Sequence, residues 1–461
     1  DEFPFRRREA GEGGVLSGIR VDALAVLSDR SAGFVEEHLA RRLGASGVSA
    51  RDRALATEIV LGTVRRRGTL DAVIAAYSAR PIEKIDPMVR EAIRLGLYQI
   101  LFLGRVPPHA AVGETVEAVK TLGRGNSAGF VNGVLRTVLR ERSFAVGSAR
   151  RVVTGGPRPV RLGRDVFPEP GSDLAGHLAA RESHPRWLVE RWLERFGEDR
   201  ARRMFDAGNA PGGLTLLPLG VAGGELARRL VEAGYEATTS EDGAHVLVSG
   251  GGAVDEMPGF AEGRFLVQDR TQSEVVARLA PRSGETILDL CAAPGTKTGH
   301  IARLAPGALV YAVDIAPERL VRLGENERRL GLRNVRRVAA DARRLPFEAG
   351  RVFDAALVDA PCSNTGVLSR RVEARWRVDA ESIRGLSALQ SELLEAAAGR
   401  IRPGGRLVYS TCSVEREENE EVVERVRAGR PDLELASSET KLQDGSSGGG
   451  FCAVLVRTGG G

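Results

Sequence analysis

The first third of the chain carries apolar residues at helical spacing. Three stripes show this pattern: Val89, Ile93, Leu97 and Ile100; Val112, Val116 and Val119; and Val131, Val134, Leu135 and Val138. A stripe of this kind covers one face of a helix, which must be buried against another helix. Residues 19–142 are therefore predicted to form an all-α bundle, preceded by a Gly- and Arg-rich flexible tail at residues 1–18.

The pattern changes twice in the middle of the chain. Residues 143–171 are rich in Gly, Pro and Arg and show no sustained period, which predicts a linker. From residue 172 to 263 a helical tract, HPRWLVERW, precedes the short apolar runs LTLLPL and HVLVS. A helix with two strand-like runs predicts a small α/β module.

From residue 264 to 461, apolar runs of strand length alternate with helical stretches. The runs are TILDL, LVYAVD, VRRVAAD, FDAALVD, GGRLVYS and FCAVLV. This alternation is typical of a doubly wound, Rossmann-like α/β sheet. Ligands of such sheets lie outside the carboxyl ends of the strands. The chain is thus predicted to be a multidomain protein whose candidate site lies at these strand ends.

A turn of small residues follows the first of these strands and opens a helix. Its residues are Cys291, Ala292, Ala293, Pro294, Gly295, Thr296 and Lys297. The two alanines and the glycine let a ligand approach the backbone, and the helix start offers free N–H groups. The turn lacks the third glycine of a dinucleotide-binding turn, so a nucleoside such as S-adenosylmethionine fits it better than NAD.

Acidic residues end three successive strands. Asp314 ends LVYAVD, about twenty residues beyond the turn, where an acid typically accepts the ribose hydroxyls. Asp341 ends VRRVAAD, where it could receive the adenine amino group, and Asp359 ends FDAALVD. Each acid alone could be a cap or a loop residue, but three that follow the sheet period predict a nucleoside site. Lys297 could pair with the methionine carboxylate, lie near the substrate base, or be an exposed surface lysine.

Two of the four cysteines fall at neighbouring strand ends. Cys362 lies three residues beyond Asp359, and Cys412 follows GGRLVYST. C5 of cytosine takes a methyl group only after a thiolate has added at C6, and the C5 proton must then leave. One thiol can attack and the other can act as base, while Asp359 near N3 would stabilise the adduct. The residues alone leave open which cysteine attacks.

The bundle resembles a NusB-type RNA-binding domain. The resemblance rests on DRALATEIVLGTVRRRGTLDAVI and on VREAIRLGLYQILFLGRVPPHAAVGETVEAVKTLGRGNSAGFVNGVLRTVLR. It implies RNA contacts through exposed arginines such as Arg65, Arg66, Arg67 and Arg124.

The rest of the chain resembles the Sun family of RNA cytosine-5 methyltransferases. The resemblance rests on HPRWLVERW, VQDRTQ, DAPCSNTG, YSTCS and ENEEVV. It implies that Cys412 attacks the base, that Cys362 assists product release, and that residues 291–297 and the three acids bind S-adenosylmethionine. DNA cytosine-5 methyltransferases use the cysteine of the PC motif instead.

Three departures from the family pattern stand out. Thr296 replaces a common glycine, which could alter one backbone contact of the cofactor. LTLLPLG stands where the family has an Arg-containing strand, so an RNA contact there is in doubt. GGGFCAVLV stands where the family tends to have paired aromatic residues, and Cys452 within it is expected to be a core residue.

The combined resemblance implies methylation of a cytosine in 16S ribosomal RNA, at the position known as cytosine 967. Two alternatives remain: the same reaction on transfer RNA or on another ribosomal site, and a non-catalytic RNA-binding assembly factor with a methyltransferase-like fold. The intact cysteines and acids favour the enzyme.

Composition adds little to this interpretation. The 461 residues carry a net charge of +5, and Arg, which suits RNA, supplies nearly all the cations, although genomic codon bias gives the same excess. No apolar run reaches membrane-spanning length and no signal peptide is evident, so a cytoplasmic protein with an RNA partner is expected, without membrane or DNA. The cysteine spacing fits neither zinc nor disulfides, so no metal is expected. The oligomeric state stays open.

Overall fold

The computed structural model describes residues 15–29, 31, 33–44, 48–249, 253–348, 350–445 and 447–459, with the side chains of residues 15–17 excepted. The chain divides in sequence into two compact units, between Asn209 and Ala210. Most of the predicted tail, residues 1–14, lies outside the described residues, and the first helix already begins at Val15. Among the described helices, none combines the length and apolar character needed to cross a membrane.

The first unit is a helical bundle. Its helices are α1 (Val15–Ser28), α2 (Val35–Gly44), α3 (Ala50–Arg65), α4 (Arg67–Tyr77), α5 (Pro87–Phe102), α6 (Pro108–Thr121), α7 (Ala128–Glu141), α8 (Leu174–Arg181), α9 (Arg186–Phe196) and α10 (Glu198–Asn209). Asp86 caps α5 by accepting the N–H groups of Met88 and Val89 at 3.0 and 3.2 Å. The three predicted stripes lie in one core, all buried except Val116, which is half-buried. The predicted all-α bundle is confirmed.

The stretch at 143–171 differs from the linker predicted from its composition. Two short strands, β1 (Val152–Val153) and β2 (Val160–Arg161), pair antiparallel there. Val153, Val160, Leu162 and Phe167 are buried in the core of the bundle. Isolated apolar residues between glycines and prolines thus hold the stretch against the bundle, because burying each apolar side chain stabilises the folded state.

Two arginines predicted to be exposed are buried. Arg65 and Arg66 are 6% and 7% exposed, and the guanidinium of Arg66 lies 5.2 Å from the centre of the Phe102 ring. They occupy the junction between α3 and α4, where the chain turns against the bundle. Arg124 is exposed as predicted and lies 3.5 Å from Asp86.

The second unit contains a small antiparallel sheet. Its strands are β3 (Leu214–Pro218), β4 (Glu236–Thr239), β5 (Val246–Ser249) and β6 (Phe265–Val267), in the order β4-β5-β3-β6. Helix α11 (Gly223–Glu232) packs on it through Leu226 and Leu230. The predicted strands are present, whereas the preceding helices α8 to α10 belong to the first unit. The division after Asn209 therefore does not coincide with the boundaries predicted at 172 and 264.

A seven-stranded sheet forms the rest of the second unit. Its strands are β7 (Thr286–Leu290), β8 (Leu309–Asp314), β9 (Val335–Ala339), β10 (Phe353–Asp359), β11 (Ile401–Thr411), β12 (Leu433–Lys441) and β13 (Gly450–Arg457), in the order β12-β13-β11-β10-β7-β8-β9. The five strands from β11 to β9 run parallel. Strand β13 is antiparallel to β11, and β12 is antiparallel to β13. The predicted Rossmann-like sheet is confirmed, and β12 was not predicted.

Helices cover both faces of this sheet. They are α12 (Arg270–Leu279), α13 (Thr296–Leu304), α14 (Pro317–Leu330), α16 (Ala380–Ala398) and α17 (Glu420–Gly429), and a short helix, α15 (Ala374–Arg377), precedes α16 in the chain. One core contains Leu288 and Leu394, and a second contains Ile287 and Ile301. Neighbouring residues of β7 thus point into different cores, as strand geometry requires. The carboxyl ends of the parallel strands meet at one edge, where every predicted site residue is found.

Candidate active site

Cys362 and Cys412 lie against each other at this edge. Cys412 comes directly after Thr411, the last residue of β11, and Cys362 lies in the loop that follows β10. The N–H of Cys412 donates to the Sγ of Cys362 at 3.2 Å. The structure therefore brings together the two thiols that the sequence placed at neighbouring strand ends.

The two thiols differ in their readiness to ionise. A hydrogen bond from Cys362 lowers the pKa of Cys412 although burial opposes it, and the positive charge of Lys297 lowers it further. The same hydrogen bond, together with burial, raises the pKa of Cys362 well above its usual value. A negative charge shared by this pair therefore resides on Cys412.

Lys297 and Asp359 form an ion pair beside the thiols. Lys297 Nζ lies 2.6 Å from Asp359 Oδ2, and Ser410 Oγ donates to Asp359 Oδ1 at 2.9 Å. Burial alone would lower the pKa of Lys297, but the charge of Asp359 outweighs it and raises that pKa. Lys297 is only 8% exposed, so the surface alternative for this lysine is wrong.

One cavity opens onto the ion pair and onto Cys412. Its lining includes Lys297, Asp359, Ser410, Cys412, Asp269 and Phe451. A ligand in this cavity would contact a thiol, an ammonium group and a carboxylate together. These are the groups that addition of a nucleophile to a pyrimidine ring requires.

Sequence reasoning missed three buried carboxylates here. Asp269 lines the cavity, accepts from the N–H of Gln272 at 2.9 Å and pairs with Arg370 at 2.7 Å. Asp289, inside β7, accepts from Thr298 Oγ1 at 2.6 Å, and burial raises the pKa of Asp289 to about 7. The motif VQDRTQ was a signal for the first of these, whereas nothing in the strand TILDL singled out the second.

The third missed carboxylate, Glu418, bonds to residues that directly follow the two cysteines. It is fully buried and accepts from the N–H of Ser363 at 2.9 Å and from Ser413 Oγ at 2.5 Å. The repeated Cys-Ser pairs in DAPCSN and STCSV were the available signal.

The turn predicted at residues 291–297 links β7 to α13, which begins at Thr296. Cys291 and Gly295 have φ angles of +58° and +98°. A Cβ at Gly295 would lie 2.6 Å from Leu323 Cγ, so the left-handed backbone and the close contact both require glycine there. Gly295 thus lets the turn pack closely against α14 at the strand end.

Asp314 is the last residue of β8 and supports the same turn. Its Oδ2 accepts the N–H of Ala293 at 3.0 Å, and its Oδ1 accepts the N–H of Ala316 at 3.0 Å. Arg319 donates to the carbonyl of Ala293 at 2.5 Å and lies 3.7 Å from Asp314. The carboxylate therefore holds the turn by backbone contacts.

Asp341 is placed differently. It lies two residues beyond the end of β9 and accepts from Arg343 at 2.7 Å. The hydrogen bonds of Arg343 lower the pKa of Asp341 to about 2. Arg343 also lies 3.2 Å from Glu392. Asp341 is thus paired within its own loop instead of presenting free oxygens.

The other two cysteines are poor nucleophiles. Burial raises the pKa of both Cys291 and Cys452 to about 12. Cys452 lies on β13 opposite Ser410 and is a core residue, as expected. All four cysteines are free thiols. Within the part of the chain that the structure describes, no group of three or more His, Cys, Asp or Glu residues could hold a metal ion.

Comparisons with known proteins agree on both units. Residues 276–452 match the family described as 16S rRNA methyltransferase RsmB/F, and residues 19–140 match the NusB family. A Klebsiella pneumoniae protein named ribosomal RNA small subunit methyltransferase B is 36% identical over 403 residues, covering 86% of each chain. The protein of that name from Vibrio cholerae is 35% identical over 394 residues, covering 84% of each chain.

Solved structures extend the likeness to the fold. The crystal structure of PH0851 matches 95% of this chain and 98% of its own, with a TM-score of 0.78 at 25% identity. The relatives named above share more than a third of their residues with this chain over most of its length. The chain therefore belongs to the RsmB/F family of 16S rRNA methyltransferases, which are S-adenosylmethionine-dependent enzymes.

Proposed function

We propose that this chain transfers a methyl group from S-adenosylmethionine to C5 of a cytosine in small-subunit ribosomal RNA, through a covalent bond between Cys412 and C6. The observation that carries the proposal is one cavity lined by Cys412, Lys297 and Asp359, with Cys362 bonded to Cys412 behind it. The names of the relatives support a small-subunit ribosomal substrate. The resemblance supports cytosine 967 as the site.

Cys412 is the nucleophile in this proposal. Its pKa is lowered by the hydrogen bond from Cys362 and by Lys297, so it supplies the thiolate. The thiolate adds to C6, and the electron pair displaced from the C5–C6 bond makes C5 nucleophilic and N3 basic. The Lys297–Asp359 pair stabilises the charge that develops at N3 by donating a proton there, and the pair takes that proton back once C5 has bonded to the methyl group.

S-adenosylmethionine supplies the methyl group, whose bond to sulfur breaks as its bond to C5 forms. Residues 291–297 and Asp314 are the binding residues we infer, with Asp341 and Asp359 completing the set. The residues fit a sulfonium nucleoside, because a turn of small side chains opens a helix at the sheet edge and the strand ends there carry carboxylates for the ribose and the positive charge. No metal is needed for this chemistry.

Cys362 is the base that completes the reaction. In the free protein the hydrogen bond and negative charge of Cys412 raise the pKa of Cys362. Once Cys412 is bonded to carbon, that charge is gone, so Cys362 gives up its proton to water more easily. The Cys362 thiolate then takes the C5 proton, the C5–C6 double bond re-forms, and the Cys412 thiolate leaves.

The test follows the two cysteines separately. Purified protein is incubated with methyl-labelled S-adenosylmethionine and undermodified small-subunit RNA, and protein bound to RNA is measured after denaturation. Cys362→Ala should accumulate a covalent, labelled adduct, whereas Cys412→Ala should form none. The opposite pattern would reverse the assigned roles.

A matched control uses a third cysteine. Cys452→Ala removes a buried thiol that lies outside the cavity lining, and it should leave turnover close to that of the unaltered protein. If transfer RNA is labelled and small-subunit RNA is not, the proposed substrate is wrong but the proposed reaction mechanism stands. Mapping of the labelled cytosine then decides the nucleotide.

A further inference from the structure

One buried carboxylate connects the loops that carry the two cysteines. Ser363 and Ser413 each directly follow a cysteine, and both hydroxyls donate to Glu418 Oε2. The N–H of Ser363 also donates to Glu418 Oε1 at 2.9 Å. Glu418 has no exposed surface. A single side chain thus receives hydrogen bonds from both cysteine loops.

Further bonds join the loops around this carboxylate. The N–H of Gly366 donates to the carbonyl of Cys412 at 2.9 Å, and the N–H of Val414 donates to Thr365 Oγ1 at 3.2 Å. From α16, Gln390 Nε2 donates to Glu418 Oε1 at 3.1 Å and to the carbonyl of Pro361 at 2.8 Å. Glu418 is therefore the centre of a hydrogen-bond network that fixes the position of the Cys362 loop relative to the Cys412 loop.

The two cysteines depend on this network unequally. Cys412 directly follows β11, which pairs with β10 on one side and with β13 on the other, up to the pair Thr411 and Phe451. Cys362 lies three residues past the end of β10, beyond that strand's ladder. Loss of Glu418 should consequently displace Cys362 more than Cys412.

We propose that Glu418 is a positioning residue that holds the Cys362 loop against Cys412, so that Glu418 controls release of the covalent adduct more than its formation. The inference rests on the roles proposed above for the two cysteines. A displacement of a reacting group by about 1 Å can slow its step on the order of 100-fold. Release should therefore slow by roughly that factor when Glu418 is removed.

A merely structural carboxylate would behave differently. Removing it would lower thermal stability and slow both steps together, because a buried network supports its whole surroundings. A positioning residue changes the ratio of the two steps. The ratio of the adduct-release rate to the adduct-formation rate is therefore the measurement that separates the two roles.

The experiment uses the full chain with S-adenosylmethionine and undermodified small-subunit RNA. Adduct formation is timed in single turnover, and release is timed after a chase with unlabelled RNA. Glu418→Ala should form the adduct at a rate within a few-fold of the unaltered protein and release it about 10- to 100-fold more slowly. Glu418→Gln, which keeps an acceptor for Ser363, should restore most of the release rate.

A matched pair of serine variants tests the direction of the effect. Ser363→Ala removes the hydroxyl donor on the Cys362 side, leaves the N–H bond to Glu418, and should slow release. Ser413→Ala removes the hydroxyl donor on the Cys412 side and should slow release less. Glu421→Gln alters a partly exposed neighbour on α17 that lies 3.6 Å from Arg416, and it should change neither rate.

The outcomes separate this inference from the proposed function. If Cys362→Ala accumulates adduct but Glu418→Ala releases it at the normal rate, the role of Glu418 is wrong and the cysteine roles stand. If Cys362→Ala accumulates none, the proposed roles themselves fail. Equal slowing of formation and release by Glu418→Ala, with no rescue by Glu418→Gln, also overturns the inference.

Discussion

Two halves of the same sheet edge are built in different ways. At the ends of β10 and β11, residues from distant parts of the chain bond to one another: Lys297 to Asp359 through their side chains, and the N–H of Cys412 to the Sγ of Cys362. At the ends of β8 and β9, Asp314 bonds to nearby backbone and Asp341 to an arginine in its own loop. We call the first half the assembled half, because the groups that the proposed reaction uses are bonded to one another. We call the second half the scaffold half, because its carboxylates bond to backbone or to an arginine nearby.

The strongest way to test this contrast is to break the ion pair of the assembled half. Asp359→Asn or Lys297→Met should each lower the single-turnover methylation rate on the order of 100-fold or more, because the developing charge at N3 loses its stabilisation. S-adenosylmethionine affinity should change much less. The readouts are single-turnover rates and calorimetric binding of S-adenosylmethionine.

The double variant sharpens the same test. Since each residue acts through the other, the loss in the Lys297→Met, Asp359→Asn protein should be smaller than the combined losses of the single variants. If the losses in methylation rate are fully additive in free energy, Lys297 and Asp359 act independently. The ion pair would then not function as one catalytic group.

Substitutions in the scaffold half should change the affinity for S-adenosylmethionine. Asp314→Asn keeps the shape of the side chain but removes its charge beside the turn. We expect S-adenosylmethionine to bind roughly 10-fold or more weakly, since a hydrogen bond to a charged group is lost, with the rate at saturating cofactor nearly unchanged. A fall in the saturated rate with unchanged affinity would contradict the division between the halves.

The pH dependence of adduct formation tests the electrostatics of the assembled half. In the proposed mechanism, formation needs the Cys412 thiolate, and the pKa of Cys412 lies below the ordinary thiol value because of Cys362 and Lys297. The rate should thus rise with pH and level off below the pH at which a free thiol ionises. Lys297→Met should move this rise to higher pH, since a lowering charge is removed. The measurement is the rate of adduct formation by rapid quench across a range of pH, in the unaltered protein and in Lys297→Met. Cys452→Ala serves as the control and should keep the pH profile of the unaltered protein.

The fold was largely predictable because its signals are local. The helical stripes around Val131 and the strand TILDL are visible in short windows, and the structure confirms them. Strand β12 escaped notice because most of its side chains are polar and half-buried or exposed at the sheet edge. The anchoring of Val153 and Phe167 depends on distant partners and had no local signal.

The candidate site shows the same limit. Strand ends and chemistry were enough to select Cys412, Cys362 and Asp359. Glu418 could not be found in this way, because a glutamate in the acidic segment ENEEVV is expected to be exposed to solvent. Its burial becomes evident only from the fold, which brings Ser363 and Ser413 within hydrogen-bonding distance. Arg66 was wrongly taken as exposed for the same reason: burial of a charged side chain is a property of the tertiary fold.

The smallest expected effect lies at the outer acid of the scaffold half. Arg343 pairs with Asp341, so it competes with any ligand for that carboxylate. Because the pair is exposed and screened by solvent, Arg343→Ala should tighten S-adenosylmethionine binding only slightly, on the order of twofold, and less at high salt. Asp341→Asn should weaken binding and make the cofactor affinity insensitive to Arg343. If neither substitution alters the affinity measured by calorimetry, Asp341 does not contact the cofactor, and the scaffold half reduces to Asp314 and the turn. A large gain from Arg343→Ala would instead mean that this arginine closes the adenine side of the site, and the contrast between an assembled and an incomplete half would then originate in one surface ion pair.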